Sequence, residues 1–310
     1  MLRGRESRRV LAVVRRTAVM LVVASRLVLA GPVPPPASGA RAAATARVLI
    51  GAGRYRPLWR QPVPGASRDT VRRAVVATDV GAFLLDQHAV TNDDFLAFVR
   101  AHPEWRRSRV SRLFADASYL HHWRGDLDPG PQAPGRSPVV YVSWFAARAY
   151  AAAQGGRLPT VAEWERVAAA DETRRDATRD ARFLTRVREF YARPAPAVLP
   201  AVGSTYRDVW GIDDMHGLIW EWTLDFNSAL VSGESRADGS LDRSLFCGAG
   251  ASGAADFADY AAFMRFAYRA SLEARYTTAQ LGFRVAYDAP ATGTARTRAA
   301  PAPIRKAGLP

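Results

Sequence analysis

Apolar residues return at helical spacing in three stretches, each opened by a residue able to cap a helix. Thr91 is followed three positions on by Asp94, and Phe95, Phe98 and Val99 then share one face, which predicts a helix opening after Thr91. Ser143 opens a second, built of small residues and closed at Gly155-Gly156, where glycine accepts a left-handed turn. Thr160 and Glu163 form a capping box for a third, which buries Trp164 and Val167. The charged run 173–192, ahead of Pro194, reads as a fourth. Strands are expected at 218–223, 245–247, 263–269 and 282–287, where residues alternate or aromatics gather. Long stretches between them show no period and no internal repeat. The pattern predicts an irregular α+β domain rather than a doubly wound sheet.

The ends read differently from the middle. Residues 1–40 form a leader: a basic stretch from Arg3 to Arg16, an apolar run 17–30, then prolines and small-residue sites. Ser7-Arg8-Arg9-Val10-Leu11 resembles a twin-arginine signal, so the chain is expected to be exported to the periplasm. Arg26 interrupts the apolar run, which is too short for a stable membrane span. Residues 41–79 read as linker and the start of the domain, 80–288 as the domain itself, and 289–310 as a tail without apolar periodicity. The formal charge of +14 is concentrated at these ends: residues 1–40 hold seven arginines and one acid, and 289–310 hold four cations and no acid. What remains on 41–288 is an ordinary surface, so nucleic acid is not expected as a partner.

The common catalytic signatures are missing: there is no P-loop, no dinucleotide-binding glycine fingerprint and no His-Glu-x-x-His helix. Of the five histidines, the adjacent His121 and His122 would point to opposite faces of a strand and could not chelate together from it. The single cysteine, Cys247, rules out an intramolecular disulfide and reads as a small buried residue, with a reactive thiol as the alternative.

Four ordered blocks carry a resemblance. They are Phe83-Leu84-Leu85-Asp86 with Val90-Thr91-Asn92; Pro138 to Trp144 with Gly156-Arg157-Leu158-Pro159-Thr160-Val161-Ala162-Glu163-Trp164-Glu165; Asp214-Met215-His216-Gly217-Leu218-Ile219-Trp220-Glu221-Trp222-Thr223; and Arg265, Arg269 and Leu281-Gly282-Phe283-Arg284. In this order they resemble the formylglycine-generating (sulfatase-modifying factor) family. The resemblance implies that family's mixed α/β fold, related to C-type lectins and sparing in regular structure. Phe246–Gly250, Asp259–Arg265 and Asp225–Leu230 look closer to the NirV-type subgroup, associated with copper nitrite reductase systems.

The family's oxidases bind copper through two cysteines ahead of the Arg-x-x-x-Arg block, because soft thiolates suit Cu(I). Here residues 251–260 hold none, so copper is not expected as a cofactor. The iron-dependent sulfoxide synthases of the same superfamily use histidines of an additional helical domain, which this chain does not match. The resemblance does imply a structural Ca²⁺ site at Asp214, Gly217, Ile219 and Glu221, the alternative being that Glu221 pairs with an arginine. Arg265, Arg269 and Arg284 are expected to satisfy carbonyls and a carboxylate such as Asp86 or Glu163, with an anionic ligand as the other reading. The expected function is an exported accessory protein that binds or matures a periplasmic partner, a copper oxidoreductase such as nitrite reductase, without formylglycine-generating activity. An enzyme of the superfamily with a cysteine-free site, and ligand display on a lectin-like groove, are the alternatives.

Overall fold

The computed structural model describes residues 45–56, 77–227 and 260–290, with side chains from residue 262 onward in the last of these. The mixture of short strands and helices is α+β. Strand β4 (Phe83–Asp86) lies at the centre of a three-stranded antiparallel sheet, between β1 (Arg47–Ile50) and β7 (Ala286–Asp288). The register pairs Arg47 with Asp86 and Ile50 with Phe83 on one side, and Phe83 with Asp288 on the other. Side chains alternate across a strand, and here each face meets its own core. Phe83, Leu85 and Ala286 join Ile50, Trp164 and Met215, whereas Leu84 and Tyr287 join Phe95, Tyr150 and Phe283. Two further pairs complete the sheets: β2 (Gly53–Tyr55) with β3 (Thr78–Val80), antiparallel, and β5 (Trp220–Glu221) with β6 (Leu281–Gly282), parallel.

The three helices with local start signals form as their sequence dictates. Helix α1 (Asn92–Ala101) carries the reciprocal box between Thr91 and Asp94, and buries Phe95, Phe98 and Val99. Helix α2 (Trp144–Ala153) starts at the Ser143 cap, and α3 (Val161–Ala168) at the Thr160–Glu163 box. Helix α4 (Ala181–Ala192) is shorter than the charged run suggests. Asp180 caps it, while Asp171 upstream accepts hydrogen bonds from Thr173 and Arg174 and holds that stretch in a turn.

One expected strand is a helix. Residues 263–269 lie within α5 (Tyr260–Ala270). Their aromatics suggested β structure, but Ala, Met and Arg are strong helix formers, and Arg265 and Arg269 share a face only at helical spacing. The expected strand at 282–287 divides into β6 and β7, the strand at 218–223 narrows to β5, and the one at 245–247 lies outside the described residues. The sheet begins at Arg47, inside the stretch 41–79 read as linker and the start of the domain, where β1 completes the edge of β4. The leader, and the tail from residue 291 onward, also lie outside the described residues.

Candidate functional site

Helix α3 is the hub of a narrow cleft lined by Trp164, Tyr191, His216, Trp220, Arg265 and Arg269. The capping box fixes the helix start, and Arg157 clamps Glu163 with two hydrogen bonds of 2.7 Å. Glu165, two residues on, turns inward. It accepts from Arg265 Nε at 2.9 and 3.0 Å, from Arg265 Nη2 at 2.6 Å and from Arg269 Nη1 at 2.6 Å. The i, i+4 spacing on α5 presents both arginines to the one carboxylate, and Arg265 Nη1 also donates to the Tyr191 hydroxyl at 3.1 Å. Burial pushes the Glu165 carboxyl up, but the two guanidiniums outweigh it and hold the pKa at about 2. Both guanidiniums lie over the Trp164 ring, at 5.8 and 4.9 Å from its centroid.

Trp164 joins this cluster to a second one. Its indole N–H donates to Glu221 Oε2 at 2.7 Å. Glu221 takes the fork of Arg284, from Nε at 3.0 and 2.8 Å and from Nη2 at 2.7 Å, and neither side chain reaches solvent. The remaining donors of Arg284 go to the carbonyls of Asp86, Gln87 and Asp213. The arginines therefore satisfy carboxylates and carbonyls, but their partners are Glu165 and Glu221. Asp86 contributes only its carbonyl, and Glu163 serves Arg157.

The residues expected to hold Ca²⁺ lie on the loop leading into β5. Its tight path is set by Asp214 at φ 60° and Gly217 at φ 103°. The Asp214 carboxylate is saturated by the N–H groups of Gly203 and Thr205 and by the Thr205 hydroxyl. With Glu221 locked to Arg284, a guanidinium already answers the charge a cation would need. As placed, the side chains of Asp214 and Glu221 do not fit a calcium site, and the other two expected ligands, Gly217 and Ile219, would offer only backbone carbonyls. Nor does the donor set fit the family's copper chemistry, because one chain with a single cysteine cannot offer two thiolates.

The cleft wall is aromatic. Trp220 stacks on Tyr191 with centroids 4.6 Å apart and lies 4.2 Å from Tyr268. His216 sits edge-on between Trp164 and Phe183, with Nε2 2.8 Å from the Ala168 carbonyl, and burial lowers its pKa to about 3. At neutral pH, Glu165 is therefore a fixed anion and His216 a fixed neutral ring. The free space is about 10 Å³, room for a single water. Both arginines are engaged by Glu165 and Trp220 is packed between Tyr191 and Tyr268, so the cleft as placed is a packed seam. Glu165 and His216 cannot exchange protons near neutrality. Sequence reasoning missed Glu165, Tyr191 and the Trp220 stack. The i, i+4 arginines were the available signal, hidden once α5 was read as a strand.

Comparison with known proteins places this geometry. The sulfatase-modifying factor enzyme 1-like domain matches residues 35–289. A hercynine oxygenase of Mycolicibacterium smegmatis is 32% identical over 176 residues, 51% of this chain and 40% of that protein. The formylglycine-generating enzyme of Thermomonospora curvata is 29% identical over 189 residues, 47% of this chain and 61% of that one. A Bos taurus protein named inactive C-alpha-formylglycine-generating enzyme 2 is 28% identical over 180 residues, 46% of this chain and 60% of its own length. The chain thus spans less than two thirds of each of these relatives. Among solved structures, PvdO from Pseudomonas aeruginosa aligns with a TM-score of 0.41 and 17% identity, over 78% of this chain and 94% of its own. The matched family domain takes in every element from β1 to β7, the ion clusters and cleft included, and the chain belongs to the sulfatase-modifying factor enzyme 1-like family.

Proposed function

We propose that this protein is an exported accessory factor that uses the family scaffold to hold a periplasmic partner during maturation, and that it does not convert cysteine to formylglycine. The thiol count carries the reading: Cys247 is the chain's sole cysteine, and residues 251–260 hold none. The family's Cu(I)-based oxidation needs two thiolates, and the chain has one candidate at most. The cleft supports the same view, since Glu165 and His216 are both fixed in their charge state at neutral pH. Loss of catalysis on this scaffold has a parallel in the bovine relative whose name describes it as inactive. The partner class, a copper oxidoreductase such as nitrite reductase, rests on the likeness of residues 225–230, 246–250 and 259–265 to NirV-type proteins. Export rests on the Arg8-Arg9 leader pattern.

The purified protein, incubated with copper, oxygen, reductant and a peptide bearing a sulfatase cysteine motif, is expected to leave the peptide mass unchanged. Formation of the aldehyde above background sinks the proposal. The second reading is an enzyme with a cysteine-free site. The 32% identity to a protein named hercynine oxygenase favours it, and it gains if the protein consumes oxygen with small thiols while leaving the peptide untouched.

A further inference from the structure

The chemistry above uses nothing from the stretch 105–115, Trp-Arg-Arg-Ser-Arg-Val-Ser-Arg-Leu-Phe-Ala, which holds four arginines and no acid. It folds as two successive turns: Arg109 and Val110 N–H donate to the Arg106 carbonyl at 2.9 Å, and Phe114 and Ala115 N–H to that of Ser111 at 2.9 and 3.1 Å. The first turn is pinned from below. Ser108 donates its N–H and hydroxyl to Asp126 at 2.8 and 2.6 Å, Arg106 Nε reaches the Val99 carbonyl at 3.1 Å, and Arg107 reaches the Trp123 carbonyl.

Two of the four arginines are thereby spent on structure, and Asp126 offsets part of the charge. Arg109 and Arg112 are exposed and have no ion-pair partner among the described residues. Directly after Arg112 in the chain comes an apolar tip. Leu113 is 79% exposed and Phe114 44%. A lone exposed leucine means little, but this one continues an aromatic surface. Phe114 lies 5.4 Å from Phe145 and 6.1 Å from Trp105, and Phe145 lies 5.5 Å from Trp144. Arg148, also exposed, rests over Trp144 at 5.3 Å.

We infer that this face docks on an anionic lipid surface, with Leu113 and Phe114 entering the boundary between headgroups and acyl chains and Arg109, Arg112 and Arg148 meeting lipid phosphates. The combination selects the partner. Unpaired guanidiniums call for a negative surface, and each strengthens attachment to one by roughly fivefold. An aliphatic tip with so little of its surface covered calls for an apolar medium that closes around it. Nucleic acid would meet the arginines but give Leu113 nothing to stack on, since base recognition uses ring faces. The hydrogen-bonded base of the loop keeps the tip presented without a folding step on contact.

The test uses the full chain and sedimentation with vesicles of phosphatidylcholine alone or mixed with phosphatidylglycerol. Every variant keeps the same basic leader, so differences report the loop. Wild type should bind the mixed vesicles and release as salt rises. Arg109→Gln with Arg112→Gln should weaken that binding roughly twenty-five-fold, two fivefold factors, and Leu113→Ser with Phe114→Ser should weaken it at least tenfold. All four positions are exposed or half-exposed, so unchanged melting curves are expected and confirm intact folding. The proposal is overturned if either double variant binds as wild type does. It is also overturned if neutral vesicles bind equally well, or if duplex DNA or polyglutamate binds more tightly than the mixed vesicles and is indifferent to the serine variant.

Discussion

Glu221 sits where two readings of the sequence diverge, and its neighbours decide between them. Both its oxygens are taken by Arg284 and by the Trp164 indole, and all three groups are buried. Removing one member of a buried pair costs about 3–5 kcal/mol, because the other charge is left without an answer. Glu221→Gln should therefore lower the melting temperature by roughly 10 °C for a domain of this size. Added calcium and added chelator should give superimposable melting curves for wild type. If chelation lowers the wild-type curve and the Gln variant loses that difference, Glu221 is a metal ligand and its assignment to Arg284 is wrong. The sequence offered an arginine partner for Glu221 only as an alternative and did not say which arginine. Glu165 meets Arg265 across 100 residues of chain and Glu221 meets Arg284 across 63, so no local spacing points from one to the other.

Elements with a local cause were legible, and those with a distant cause were not. The boxes at Thr91 and Thr160 and the cap at Ser143 act within one turn, and they marked α1, α2 and α3 correctly. Strand β1 exists because β4 and the second core accept it, and four residues carry too little pattern to announce that. The pair β5–β6 is held similarly, by close approach. A Cβ on Gly282 would overlap the Val139 carbonyl oxygen and crowd the Ile219 side chain at 2.7 Å. Backbone cannot step aside as a flexible side chain can, so Gly282→Ala should destabilise the fold by about 1–3 kcal/mol, the range for overpacking. Because β6 leads directly to Phe283 and Arg284, the same change should disturb the near-ultraviolet circular dichroism of the Trp164–Glu221 region. A variant with wild-type stability and spectrum would show that the β5–β6 contact is looser than described.

At the scale of the whole molecule, buried carboxyls and buried histidines set the pH dependence between them. Burial raises Asp86 to about 7 against the pull of Arg47 and Arg284, and raises Asp208 to about 6. In the unfolded chain both titrate near 4. Between roughly pH 4 and their folded pKa values, the folded protein therefore holds protons that the unfolded chain has released. Their stabilising contribution is full below about pH 4 and is lost as pH rises through 6 and 7, each proton adding a slope of about 1.4 kcal/mol per pH unit in its window. Glu165 works the other way, but only as pH falls from about 4.5 toward 2. His216 and His122 oppose the aspartates, because burial lowers their folded pKa values to about 3 and about 4, so each adds stability as pH rises toward 6.5. The aspartate contribution is therefore read by difference: Asp86→Asn should gain stability relative to wild type as pH rises from 4 to 7 in a series of denaturant melts. A difference between variant and wild type that stays constant from pH 4 to 7 would mean that Asp86 is ionised throughout.

The three-stranded sheet has a mechanical consequence. Strands β1 and β7 flank β4 and run parallel to one another, the chain entering beside Asp86 and leaving beside Phe83. A pull on the two ends of the domain drags these strands in opposite directions along β4. The hydrogen bonds of both ladders then bear the load together in shear, instead of opening one at a time like a zip, so the fold resists being drawn out as a thread.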